Sequence, residues 1–96
     1  MIERLYVNKV CDYTEAAMDS IQSSAIGKTM KDIEDLRKRS FDIYQDALAA
    51  IHRTEKNGRD PDSVRDSIDR IRDSTIETKG FLRSCHMHAF LKENEK

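Results

Sequence analysis

Tyr13 stands fifteen residues before Lys28, which lies in the run Gly27-Lys28-Thr29 at the head of an amphipathic segment. An amine, a hydroxyl and a glycine-opened backbone at a helix start favour an anion, because the first N–H groups of a helix lack partners and carry partial positive charge. A tyrosine ring brought near such a place can stack on a base or cap a pocket. The plainer reading makes Tyr13 a core residue and Lys28 a solvated one. Farther along, Ser67, Ser74, Thr75 and Thr78 fall on one helical face. Two accounts fit them. Small residues let helices approach closely while hydroxyls bond back to the preceding turn, or hydroxyls and arginines line a polar pocket that holds a phosphate or a base. Arg37 projects between Ile33 and Tyr44, close to the centre of an apolar stripe. Its stem can snorkel along the core edge while the guanidinium reaches water.

Other combinations carry less. Cys85, His86 and His88 offer metal-ligand chemistry, but helical ligands must be three or four residues apart to share a face. Only Cys85 and His88 meet that condition, giving two ligands where a structural zinc wants four. No metal and no cofactor is expected. Asp66, Asp69 and Asp73 interleave with Arg65, Arg70 and Arg72 as a solvated ion-pair face. There is no Gly-rich phosphate loop or nucleophile elbow, so the chain does not read as an enzyme.

The elements that must position these residues are helices. Ile2, Tyr6, Val10, Tyr13, Ala17 and Ile21 recur every three or four residues and predict an amphipathic helix over 2–22. Ser23, Ser24 and Gly27 predict a kink or turn over 23–29, and Thr29 with Asp32 forms a capping-box-like restart. The second helix is expected over 30–56, with Ile33, Leu36, Ile43, Tyr44, Ala47, Leu48 and Ile51 on one side and the acid-first pairs Glu34–Lys38 and Asp35–Arg39 on the other. Asn57-Gly58 supplies a stop and Asp60-Pro61-Asp62 a start. The third helix, 61–92, turns Val64, Ile68, Ile71, Leu82, Cys85 and Ala89 inward.

These elements make residues 1–96 a single all-α domain: a short N-terminal helix and a long antiparallel helical hairpin. The core is thin, with 38% hydrophobic and 36% charged residues, no Trp, three Phe and three Tyr. Small chains of this kind add apolar burial by associating. A second apolar line is expected from Ile76, Gly80 and Met87, joined by Val7, Cys11 and Met18 on the back of the first helix. Two sticky surfaces suit a closed homo-oligomer, with a heteromeric partner as the alternative.

Seventeen Lys and Arg against eighteen Asp and Glu give a net charge of −1. The long-range attraction behind non-specific DNA or RNA binding is therefore missing. Two cysteines without C-x-x-C spacing suit free thiols in a reducing cytoplasm. No run of eighteen apolar residues reads as a membrane span.

Tyr13 and Lys28 fifteen apart, the helical layout, and the run Thr75-Ile76-Glu77-Thr78-Lys79-Gly80-Phe81-Leu82 together resemble the phage anti-CBASS sponge family. The resemblance implies small helical subunits assembled into hexamers in the host cytoplasm. It implies sequestration of cyclic oligonucleotide second messengers, without chemistry on them, so that CBASS effectors stay silent. It further implies that Tyr13 stacks on a nucleobase and Lys28 meets a phosphate in a cyclic-dinucleotide pocket between subunits, with Thr29 lending a hydroxyl. A second pocket for cyclic trinucleotides would involve Thr75, with Arg72 the nearest guanidinium. The reading from a different class is a helical interaction module, an inhibitor or assembly factor, that docks on a host or phage protein.

Overall fold

Steps of four and three residues run along the buried side of the first helix: Val7, Cys11, Thr14, Met18, Ile21 and Ala25. That spacing averages 3.5 residues, the repeat that keeps one seam of a helix facing its neighbours over several turns. The computed structural model describes residues 2–57 and 61–95, with side chains described over 5–53 and 64–95. Among them are three helices and no strand: α1 (Ile2–Ala25), α2 (Met30–Asn57) and α3 (Pro61–Glu93).

The first helix is not a short appendage. It has 24 residues and packs against both of the others. Its buried face also differs from the expected one. Tyr6 and Tyr13 are 46% and 72% exposed, while Val7, Cys11 and Met18, expected on an outer surface, are 4%, 0% and 0% exposed. At 100° per residue the true seam is rotated by roughly a quarter turn from the predicted stripe. A tyrosine hydroxyl is well served by water, whereas Met and a free Cys behave as compact hydrophobes.

Two clusters form the core among the described residues. Val7 and Cys11 of α1 meet Ala47 and Ile51 of α2 and Val64 and Ile71 of α3. Met18, Ile21 and Ala25 meet Ile33, Leu82 and Ala89. The start of α1 thus lies with the end of α2 and the start of α3, so α2 runs against its two neighbours. The result is a rod of 59 × 16 × 15 Å. Each large aliphatic side chain buried there, such as Ile33, Ile51, Ile71 or Leu82, contributes about 1.5 to 3 kcal/mol.

Between the clusters the seam turns polar. Thr14 (1% exposed), Ser40 (4%) and Thr78 (0%) are buried, and among the described residues no buried side-chain nitrogen or oxygen lacks a partner. Thr14 donates to the Val10 carbonyl at 2.7 Å, Thr75 to Ile71 at 2.7 Å and Thr78 to Ser74 at 2.9 Å. Thr75 and Thr78 of the third helix therefore bond back to the preceding turn, the plainer of the two accounts of that face. Ser40 donates to a thioether, Met18 Sδ at 3.3 Å.

The break between α1 and α2 is tighter than expected. The helix runs through Ser23 and Ser24 to Ala25, and Gly27 takes φ 75°, the left-handed conformation that glycine adopts without a Cβ clash. Thr29 caps α2 as its sequence suggests, Oγ1 accepting from the Asp32 N–H at 3.2 Å. Glu93, at the far end of α3, accepts from the Met30 N–H at 3.0 Å, satisfying a second of the four donors that a helix start leaves open. The helices end and resume at Asn57 and Pro61. The side chains of the expected Asn57-Gly58 stop and Asp60-Pro61-Asp62 start lie outside the described residues.

Surface charges pair differently from the local expectation. Arg70 leaves the ion-pair face of α3 and crosses to α1, where Nε and Nη2 donate to the two Glu15 carboxylate oxygens at 2.9 and 2.7 Å and Nη2 to Asp12 at 2.7 Å. These bonds push the guanidinium further into its charged range. Arg72 pairs with Asp69 one turn before it at 2.6 Å. Glu34 does not close on Lys38 but approaches His86 at 3.6 Å.

Candidate functional site

Arg37 and Phe41 are one turn apart on α2, and Thr75 and Lys79 one turn apart on α3, so each pair projects from one face of its helix. The helices pack side by side, and these residues line a cleft of about 310 Å³ together with Lys38, Ser40 and Leu82. Its floor is core: Ser40 is 4% and Leu82 0% exposed. Its rim carries three cations, and among the described residues none of the three has a carboxylate at ion-pairing distance. Phe41 stands at the edge with 59% of its surface in solvent. Three unneutralised cations beside an aromatic face attract an anion that carries a planar group.

A second cleft, of about 200 Å³, lies at the end of the rod where α1 turns into α2. Ile26, Gly27, Lys28, Cys85, His88, Ala89 and Lys92 line it. His88 and Lys92 are again one helical turn apart, and the left-handed Gly27 sets Lys28 opposite them. The Lys28 and Lys92 amines have no carboxylate partner among the described residues, which suits a small anion such as one phosphate. The half-buried Cys85 thiol faces this cleft while His86 approaches Glu34 on α2. Among the described residues no three His, Cys, Asp or Glu side chains come together as a metal site.

The residues singled out in the sequence are thus distributed over the rod. Lys28 lines the smaller cleft and Thr75 the larger. Thr29 uses its hydroxyl oxygen as the cap of α2. Arg72 is half exposed and held by Asp69. Tyr13 is 72% exposed on α1, twelve residues before Ala25, which at 1.5 Å per residue is about 18 Å along the axis. Within the chain Tyr13 and Lys28 do not share a pocket.

Sequence reasoning passed over Phe41 and Lys92, met Lys38 only as an ion-pair partner, Lys79 only within the resemblance run and His88 only as a metal-ligand candidate, and it placed Arg37 at a core edge. The available signal was a basic or aromatic residue one turn from another at the border of an apolar stripe, as in Arg37/Phe41 and His88/Lys92. Which borders face each other depends on how helices far apart in sequence pair, and that no local pattern contains.

Among the described residues no helix is long and apolar enough to cross a membrane. No protein-family model, no curated protein and no solved structure matches the chain.

Proposed function

We propose that this chain is a non-enzymatic sponge that sequesters cyclic oligonucleotide second messengers and so silences antiphage CBASS signalling in the cytoplasm of the host. The observation that carries the reading is the presence of two clefts rimmed by cations that have no carboxylate partner among the described residues, on a chain whose net charge is −1. Cyclic di- and trinucleotides present phosphates and base faces at fixed separations. Lys28 supplies the phosphate contact, Tyr13 of a neighbouring subunit the stacking face, and Thr29, Arg72 and Thr75 further polar contacts.

The working form in this reading is a homo-oligomer, a hexamer by the family resemblance, in which the exposed face of α1, with Tyr6 and Tyr13, meets neighbours. Surface area supports association. The subunit exposes 7071 Å², against roughly 5,700 Å² for a compact monomer of 11.1 kDa. Leu5, Tyr6, Ile26, Ile76, Met87, Phe90 and Leu91 are each 46% exposed or more.

Native mass spectrometry of the protein with a panel of cyclic di- and trinucleotides tests the proposal. A defined oligomer that gains stoichiometric nucleotide mass, and loses it in Tyr13→Ala and Lys28→Ala with helicity and oligomer mass unchanged, supports it. Retained affinity in both variants removes the site assignment. The same exposed apolar residues favour one other reading, a helical module that docks on a host or phage protein. A ligand-free monomer or dimer that forms a stable heteromeric complex would decide for that reading.

A further inference from the structure

We infer that the cleft between α2 and α3 is a nucleotide site complete within one subunit, in which Arg37, Lys38 and Lys79 hold phosphate and Phe41 stacks on the base. The inference rests on the geometry of a single chain and stands whether or not Tyr13 and Lys28 bind a ligand between subunits.

Charge, shape and hydrogen-bonding capacity all point to the same ligand. Three cations stand around one cleft of about 310 Å³, and no carboxylate among the described residues lies within ion-pairing distance of them, so a di-anionic group gains from all three at once. Arg37 offers a fork of N–H donors suited to two phosphate oxygens, while Lys38 and Lys79 act as mobile point charges. The volume is at the lower end of the range for small-ligand pockets, which suits one nucleoside phosphate rather than a whole cyclic oligonucleotide. Phe41, 59% exposed, is an aromatic face already standing beside the charges, and stacking on it needs no partner from another subunit.

The two hydroxyls divide the remaining work. Thr75 donates to the Ile71 carbonyl, so towards a ligand its oxygen can only accept, as from a ribose hydroxyl. Ser40 donates to the Met18 thioether, a weak acceptor. Turning that proton to a phosphate oxygen replaces a poor hydrogen bond with a charge-assisted one.

The shared chemistry is a base joined to phosphate, supplied either by a free mononucleotide or by one unit of a cyclic oligonucleotide. The experiment is amide chemical-shift mapping with adenosine diphosphate, inorganic pyrophosphate and a cyclic trinucleotide, with circular dichroism of each variant to verify folding. Adenosine diphosphate is expected to shift amides of residues 37–41 and 75–79 and to bind more tightly than pyrophosphate. Arg37→Gln and Lys79→Gln should each weaken both ligands by about tenfold, the effect of losing one charge-assisted hydrogen bond. Phe41→Leu, which keeps apolar bulk, should bring adenosine diphosphate down to the affinity of pyrophosphate and leave pyrophosphate unchanged. Tyr13→Ala should alter neither. If only the cyclic trinucleotide moves these amides, and Arg37→Gln and Lys79→Gln abolish that shift, the ligand's source is the ring and the site stands. If none of the three ligands moves them, or binding survives both charge removals, the inference is overturned.

Discussion

Gln22 Nε2 donates to Thr78 Oγ1 at 2.9 Å, linking α1 to the polar midpoint of α3. Thr78 is fully buried, and its hydroxyl also donates to the Ser74 carbonyl, so both of its hydrogen-bonding roles are filled.

Thr78→Val keeps the shape of that side chain and removes the acceptor. Gln22 is half-buried and can turn to water, so the loss is expected to be about 0.5 to 1.5 kcal/mol. In a double-mutant cycle with Gln22→Ala the two losses should not add, because they remove the same bond. Additive changes in urea midpoints would show that the bond contributes nothing of its own.

Leu82→Ala removes a side chain with no exposed surface from the second cluster and is expected to cost about 2 to 5 kcal/mol. Thermal unfolding followed at 222 nm measures it, with about 4 to 8 °C per kcal/mol for a chain of this size. Ile76→Ala, at a position 59% exposed, should change the unfolding of the isolated subunit by less than about 0.5 kcal/mol. A larger loss at Ile76 that grows with protein concentration would place it in an interface.

Arg70→Met cuts the clasp to Glu15 and Asp12 while retaining an apolar stem. All three side chains are substantially solvated, so the expected loss is only about 0.5 to 1 kcal/mol. Adding 1 M sodium chloride should narrow the gap between wild type and variant, since salt screens exposed charges. A gap that holds constant in salt would assign the loss to packing.

Burial pushes the Cys11 thiol above its ordinary value of 9.0, with a hydrogen bond to the Ser67 side chain opposing the shift. The folded state therefore holds the proton more tightly than the unfolded one. The resulting stability is full below about pH 9 and is lost as pH rises through the folded value. Stability should fall above pH 9 in wild type and fall less in Cys11→Ala. A thiol reagent at pH 8 should label the half-buried Cys85 first and Cys11 only on unfolding.

Thr29→Ala should lower stability by about 0.5 to 2 kcal/mol through loss of the α2 cap. Thr29→Asp keeps a good cap and sets a carboxylate beside Lys28. It should preserve the melting temperature yet weaken any phosphate ligand at that end of the rod. Equal binding by wild type and Thr29→Asp would show that the ligand lies elsewhere.

The helical class, the helix bounds to within three residues and the Thr29 cap were legible because they rest on local spacing and short-range hydrogen bonds. The inward face of α1 was not. Its stripe of Ile2, Tyr6, Val10 and Tyr13 looks more apolar than Val7, Cys11, Thr14 and Met18, and only docking against Ala47, Ile51, Val64 and Ile71 decides between them. Likewise Lys28, Thr29 and Thr75 could be singled out one by one, but that Lys79 would stand across from Arg37, forty-two residues away in the chain, follows from the pairing of α2 with α3.

Each of the two clusters draws residues from all three helices. No pair of helices closes either one, and this orders events during synthesis. While α1 and α2 have emerged from the ribosome and α3 has not, Met18, Ile33, Val7 and Ile51 must wait without Leu82 and Ile71 to cover them. A nascent chain in that state is a client for chaperones, and stalling translation between residues 57 and 71 should yield helices that a protease cuts readily, with resistance arriving only once Leu82 is free to dock.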